Sequence, residues 1–279
     1  MKHQWLTEIS EITLSLVCCT LAIAELDHLR VAITAAADGA GRVIALRFAR
    51  AGARICICDV NAMAVTHLRE SAPEIDATVA DLANEDEIDG FFALVARRLG
   101  GLDVLINNVG VAGPTAAIEN IAAEEWEHTL KINLTSHFLC AQRAVRMMKP
   151  QGNGLIINIS STSAKTGLPL RLPYVVSKAA LISMTHNLAR ELGPFGIRVN
   201  ALLPGPIEGQ RMDQVICAKA KALDVPPAEY RARLLRYVSL RRMTRPEDIA
   251  NLALYLASPA GCLITGQAIA VDGNVEHEE

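Results

Sequence analysis

The chain lacks several things that would have decided its class. Its longest apolar run, Ile12 to Ala24, is shorter than the ~20 residues a membrane helix needs. Paired CxxC units and an HExxH sequence are both absent, so no pattern for zinc, and no other metal site, can be read. Charge excess is missing too: a formal charge of -3 gives no electrostatic footprint for nucleic acid. Aromatic residues make up only 4% of the 279 residues, while 51% are hydrophobic. Ala, Val, Leu and Ile must therefore do the packing, as in buried parallel strands covered by helices. The seven cysteines are odd in number and scattered, which suits a reducing, cytoplasmic setting rather than a disulfide framework. Cys56 and Cys58 alternate along an expected strand and should share one face as small core residues.

What is present is a repeated alternation beginning at Leu29. Strands are expected at Arg30–Thr34, Arg54–Cys58, Ala77–Val79, Leu102–Ile106, Leu155–Ile159, Ile197–Ala201 and Ala268–Val271. Helices are expected at Gly41–Ala51, Ala62–Glu70, Glu85–Leu99, Ala123–Met148 and Tyr174–Leu192. Strands alternating with helices imply βαβ units and a parallel sheet. The segment 205–244 interrupts the alternation, is charged, carries Pro226 and Pro227, and is expected to cover a site as a lid. Residues 1–28 stand apart. They read as an extra amino-terminal helix or a dispensable extension. The alternative is a signal h-region, but Glu8 and Glu11 precede the run and Lys2 is the one cation before it.

Three features carry chemistry. Tyr174 and Lys178 are four residues apart, so on a helix they share a face one turn apart. A free phenol titrates near ~10, and a neighbouring cation favours the phenolate, which makes a tyrosine a usable general acid/base for an alcohol oxygen. An aromatic residue beside a solvated lysine is the plain alternative. Second, the turn from Thr34 to Gly41 joins the first strand to the first helix, where open α/β sheets seat a pyrophosphate. Third, Asp59 closes the second strand. A carboxylate there can accept hydrogen bonds from both ribose hydroxyls of NAD and would repel the 2′-phosphate of NADP; alternatively it caps the following helix.

Taken in order, these motifs resemble the short-chain dehydrogenase/reductase family over about Leu29 to Glu276. The set includes the glycine turn, Asp81-Leu82, Asn107-Asn108-Val109-Gly110, Asn133, Ser160-Ser161, Tyr174 with Lys178, Asn200 to Gly205, Thr265-Gly266-Gln267 and Val271-Asp272-Gly273. The resemblance implies one doubly wound Rossmann-type domain over 29–279. It would have about seven parallel strands, helices on both faces and a lid at about 205–244. It further implies an NAD(H)-dependent oxidoreductase interconverting a secondary alcohol and a ketone. Tyr174 would be the general acid/base, Lys178 would support it and hold the nicotinamide ribose, Ser161 would bind the substrate oxygen, and Asn133 would hold a relay water. Thr34, Ala36, Asp38, Gly39, Ala40 and Gly41 would form the cofactor turn. Asp59 and Val60 would meet the ribose, and Asp81 and Leu82 the adenine. Asn107, Asn108, Val109 and Gly110 would line the cleft, and Pro204, Gly205 and Ile207 would flank the nicotinamide. Buried amides tying backbone together would equally explain Asn107 and Asn133.

The departures are Ala35 where the family usually has glycine, Asp38 beside the expected pyrophosphate, and Val109 in place of a common alanine. A Cβ at Ala35 would cost cofactor affinity if the backbone there needs positive φ. The substrate pocket is expected from Val111–Thr115, Ser163–Arg171 and Ile207–Tyr237. Arg171, Arg211, Arg231, Arg233 and Arg236 are basic candidates for an acidic substrate group. Many relatives are tetramers, so a homo-oligomer, dimer or tetramer, is implied. The alternatives are an NADP-dependent 3-oxoacyl-carrier-protein reductase and a non-catalytic dinucleotide-binding regulator.

Overall fold

A computed structural model describes residues 26–275 apart from His28. The expected amino-terminal extension, but for Leu26 and Asp27, and Glu276 at the far end lie outside the described residues. Seven strands form one parallel sheet: β1 (Arg30–Thr34), β2 (Arg54–Asp59), β3 (Ile75–Val79), β4 (Val104–Asn107), β5 (Gly154–Ile159), β6 (Ile197–Pro204) and β7 (Ala268–Val271). The spatial order is β3-β2-β1-β4-β5-β6-β7, so the winding reverses between β1 and β4. A cleft for ligand opens at such a reversal, beyond the carboxyl ends of the strands. The α-helices among the described residues are α1 (Gly39–Arg50), α2 (Ala62–Ser71), α3 (Glu85–Leu99), α4 (Ala123–Leu130), α5 (Ser136–Gln151), the short α6 (Ser163–Thr166), α7 (Leu172–Leu192), α8 (Gln210–Ala222), α9 (Pro227–Arg236) and α10 (Pro246–Ala257).

Strand alternation sorts the core into two layers. Val31, Ile33, Ile55, Ile57, Val104 and Ile106 face one side, with Ile44 and Phe48 of α1 and Ile249 and Ala253 of α10. Ala32, Leu105 and Ile156 face the other, with Phe91 and Val95 of α3 and Cys140 and Ala144 of α5. Cys56 and Cys58 share that second face, as their spacing required. Local signals set the helix bounds. In α3, the Asn84 side chain accepts from Asp86 N at 3.0 Å, acidic residues fill the first turn, and Gly100 ends the helix at φ 73°.

Some bounds differ from expectation. β3 starts two residues earlier, at Ile75, and β6 runs on to Pro204. The long helix expected over 123–148 is broken by a π-helical turn, Lys131–Thr135, between α4 and α5. A widened turn of this kind has no residue signature of its own, so 123–148 reads as one uninterrupted helix. The turn holds Asn133, whose amide meets both polar groups of the Val111 backbone.

One buried titratable group had no place in the sequence reading. His137 of α5 is fully buried, with Nε2 2.8 Å from the Val109 carbonyl, which fixes Nε2 as the donor. Burial, and then the nearby Lys178, push its pKa down to about 3. Neutral His137 therefore contributes stability that is complete above the ordinary histidine range and is lost as pH falls through it towards about 3. We expect denaturant unfolding to show a loss of roughly 2–3 kcal/mol from this residue between about pH 7 and pH 4.5. His137→Gln, which keeps a donor without a titratable ring, should show a correspondingly shallower loss; an unchanged slope would contradict the assignment.

Candidate active site

The site is built from the carboxyl ends of β1, β2, β4, β5 and β6. At the end of β1, the Thr34 hydroxyl turns inward and accepts from Asn108 N at 2.9 Å and Val109 N at 3.1 Å. Asn108 returns two hydrogen bonds from its amide, to the Thr34 and Ala35 carbonyls. Ala35 is held at φ +50°, the left-handed region anticipated as the penalty of an alanine here. Gly41 cannot take a side chain: a Cβ would stand 2.4 Å from the Ala35 carbonyl and 2.6 Å from the Asn108 amide. Asp38 folds its carboxylate back onto Gly39 N at 2.7 Å, capping α1. Ala36 is buried, and Gly39 and Ala40 begin the helix.

Asp59 is not the cap of the next helix. Asn61 does that, accepting from Ala64 N at 3.2 Å. The Asp59 carboxylate instead joins two loops, accepting from Ala37 N at 3.1 Å and Asn61 N at 3.0 Å. Val60 beside it is exposed. Asp81 is exposed and accepts from Ala83 N at 2.9 Å, whereas Leu82 packs into the second core layer.

The centre of the site lies on α7. Lys178 is 3% exposed, and its Nζ donates to the Ile159 carbonyl at 2.8 Å and stands 5.9 Å from the centre of the Tyr174 ring. A Cβ on Gly110 would lie 3.2 Å from Asn133 Oδ1 and 3.3 Å from Lys178 Nζ, so the glycine brings the end of β4 against both. Burial, and secondarily the Arg211 guanidinium, lower Lys178 to about 7. The ammonium therefore carries a folding penalty, complete below about pH 7 and relieved as pH rises towards the ordinary lysine value. Asn133 donates to Ser177 Oγ at 3.1 Å as well as to the Val111 carbonyl. Ser177 was not anticipated.

The serine pair divides its work. Ser160 is buried and donates to the Lys178 carbonyl at 2.7 Å, locking α7 to β5. Ser161 is half-buried and shares a 2.8 Å hydrogen bond with Ser163. Tyr174 is also half-buried, on the same face of α7 as Lys178. Asn107 is fully buried. Its amide donates to Asn158 Oδ1 at 3.1 Å and to the His137 carbonyl at 3.3 Å, so it ties elements together beneath the cleft rather than lining it. Pro204 is buried and its carbonyl accepts from Thr162 N at 3.1 Å. Gly205 passes so close to Asp272 that a Cβ would meet its Cα at 2.9 Å. Ile207 bridges to Thr244.

The expected basic set separates. Arg231 and Arg233 are exposed and paired with Asp213 and Glu229 within the lid helices α8 and α9. Arg236 is exposed on α9. Arg171 alone is buried, at the start of α7.

The turn fits a nicotinamide dinucleotide. Gly41 admits no side chain, the opening of α1 offers backbone donors, and Asp59 presents two carboxylate oxygens beside it. Comparisons with known proteins agree. The sequence model of a protein family described as "Enoyl-(Acyl carrier protein) reductase" matches residues 34–275. A 7alpha-hydroxysteroid dehydrogenase of Escherichia coli (strain K12) is 32% identical over 245 residues, covering 86% of this chain and 91% of that protein. The 3-oxoacyl-acyl-carrier-protein reductase FabG of Thermotoga maritima is 33% identical, covering 87% and 96%. The crystal structure of an NAD+-bound xylitol dehydrogenase superposes with a TM-score of 0.85 at 27% identity, covering 89% of this chain and 99% of that one.

Ala35→Gly tests the strained turn. It is expected to raise stability by up to about 1 kcal/mol, since glycine takes positive φ without the Cβ penalty. It should also tighten NADH binding measured by calorimetry. A fall in both would show that the turn is not strained in solution.

Proposed function

Because this chain belongs to the short-chain dehydrogenase/reductase family and is an oxidoreductase that uses a nicotinamide dinucleotide on CH–OH groups, we propose that it is an NAD(H)-dependent enzyme interconverting a secondary alcohol and a ketone. The observation that carries this reading is the convergence of Lys178 Nζ and Asn133 on Gly110, with Lys178 on the same helix face as half-buried Tyr174.

The bound nicotinamide supplies the acceptor or donor of a hydride at the substrate carbon. The chain's residues handle the oxygen. In the oxidation direction, the alcohol O–H proton passes to the Tyr174 oxygen as the C=O bond forms; ketone reduction returns it. Ser161 holds the substrate oxygen in place, fixed itself by Ser163. Lys178 favours the ionised phenol when protonated, and its amine is anchored to Ile159. Asn133 holds the Val111 backbone and Ser177 in position beside that amine. The net reaction is alcohol plus NAD+ giving ketone, NADH and a proton.

Asp59 supports NAD over NADP, since a 2′-phosphate would meet its carboxylate. A groove bordered by Ala37, Arg42, Asn61 and His67 favours a second reading, NADP-dependent 3-oxoacyl-carrier-protein reduction, in which Arg42 would meet that phosphate. The free Cys56, Cys58 and Cys140 support a cytoplasmic, reducing setting. Among the described residues no helix is long and apolar enough to cross a membrane. A homo-oligomer, dimer or tetramer, belongs to the same reading by family analogy.

Tyr174→Phe is expected to lower kcat by at least about 100-fold while NADH still binds, because it removes the transferable proton and little else. Undiminished turnover would remove the assigned role. Asp59→Ser should lower the NADH-over-NADPH ratio of kcat/KM by roughly tenfold or more, as expected for loss of a charge-assisted contact. A wild-type preference for NADPH would favour the second reading.

A further inference from the structure

Arg171 is a buried cation without a counter-charge. It is 3% exposed; its Nη2 donates to the Ala112 carbonyl at 2.5 Å, and its Nε–H is buried with no acceptor. Its guanidinium carbon stands 5.3 Å from the centre of the Tyr174 ring. Among the described residues, no ion pair includes Arg171 or Arg211. Arg211, in the first turn of lid helix α8, is close enough to make both the Arg171 and the Lys178 charges harder to hold. Two cationic groups thus stand close to the Tyr174 ring, Arg171 at 5.3 Å and Lys178 at 5.9 Å from its centre, and Arg211 is carried on the lid helix. A charge buried without a partner is strongly unfavourable, and an unpaired buried donor adds its own desolvation cost. Of the lid arginines, Arg231 and Arg233 are compensated by Asp213 and Glu229.

We propose that the substrate is anionic: a hydroxy or keto compound bearing a carboxylate or phosphate group, which Arg171 and Arg211 clasp a few bonds from the carbon that reacts. The inference rests on the reading of Tyr174 as the acid/base group, since that places the reacting oxygen. Both anions accept hydrogen bonds from the planar guanidinium fork, and neutral polyols or steroids would leave the buried charge uncompensated. An anion held between Arg171 and Arg211 also offsets the repulsion that Arg211 imposes on Lys178, so binding substrate would favour the protonated amine that Tyr174 needs.

Matched pairs test this on the full chain loaded with NADH: acetoacetate against acetoacetamide, and dihydroxyacetone phosphate against dihydroxyacetone, by calorimetry. At least one anion is expected to bind about 10- to 100-fold more tightly than its neutral partner, the range for a hydrogen bond to a charged group. The pair that shows the larger ratio distinguishes carboxylate from phosphate. Arg171→Gln should bring that ratio close to one, while the neutral partner's affinity is retained. Arg211→Gln alters an exposed side chain and should cut the same ratio; it keeps the test decisive if Arg171→Gln does not fold. Equal affinities within both pairs, no binding of either anion, or equal weakening of anion and neutral partner by Arg171→Gln overturns the inference and leaves the dinucleotide reading standing. Failure of NADH itself to bind overturns both.

Discussion

The site depends on one buried amine. Lys178 is taken almost wholly out of water and given one strong acceptor, the Ile159 carbonyl at 2.8 Å. That position is unfavourable for a cation, and the rest of the site is arranged around tolerating it. Ser160 fastens the Lys178 backbone to the end of β5. Gly110 lets the end of β4 come close enough to shield the amine without a Cβ in the way. The π-helical turn brings Asn133 against the same glycine, and Asn133 in turn holds Val111 and Ser177. A charge-bearing group kept in a dry pocket acts more strongly on its neighbour than it would in water, which is what the Tyr174 phenol requires.

The same logic extends below and beside the cleft. His137 lies beneath the β4 loop as a neutral imidazole, kept so by burial and by its cationic neighbour. Arg171 adds a further positive charge 5.3 Å from the centre of the phenol ring, and among the described residues no carboxylate pairs with Arg171 or Arg211. The stability cost of these basic groups is borne by a sheet with two large apolar core layers. Strain is placed at the cofactor end as well, in the positive φ of Ala35. Local costs of this kind concentrate at working sites because the surrounding fold over-determines them.

Much of this was legible from the residues. Short β-branched runs alternating with longer amphipathic stretches marked the parallel sheet, because both signals are local in sequence. Tyr174 and Lys178 were legible together because four-residue spacing fixes a helix face. The two serines look alike in sequence and differ in their partners: Ser160 is tied to the Lys178 carbonyl, and Ser161 shares a hydrogen bond with Ser163. What stayed hidden depends on long-range pairing. The π turn at Lys131–Thr135 has no sequence marker, and Asn107 reads the same whether it lines a cleft or ties strands beneath it. Five lid and pocket arginines look alike in sequence; their ion pairs separate Arg231 and Arg233 from Arg171. His137 was missed because a lone histidine in an apolar helix carries no sign of what it will meet.

The central claim is that Lys178 is placed for chemistry at the expense of stability. Its most direct test is Lys178→Met, compared with the wild type by thermal or urea unfolding and by turnover on one confirmed alcohol with NAD. Replacing a buried, partly compensated charge with an apolar side chain of similar length should leave stability equal or raise it by roughly 1–4 kcal/mol. Turnover should fall by at least about 100-fold. A variant that is less stable yet turns over within about threefold of the wild type would contradict the account, since Lys178 would then support the fold rather than the reaction.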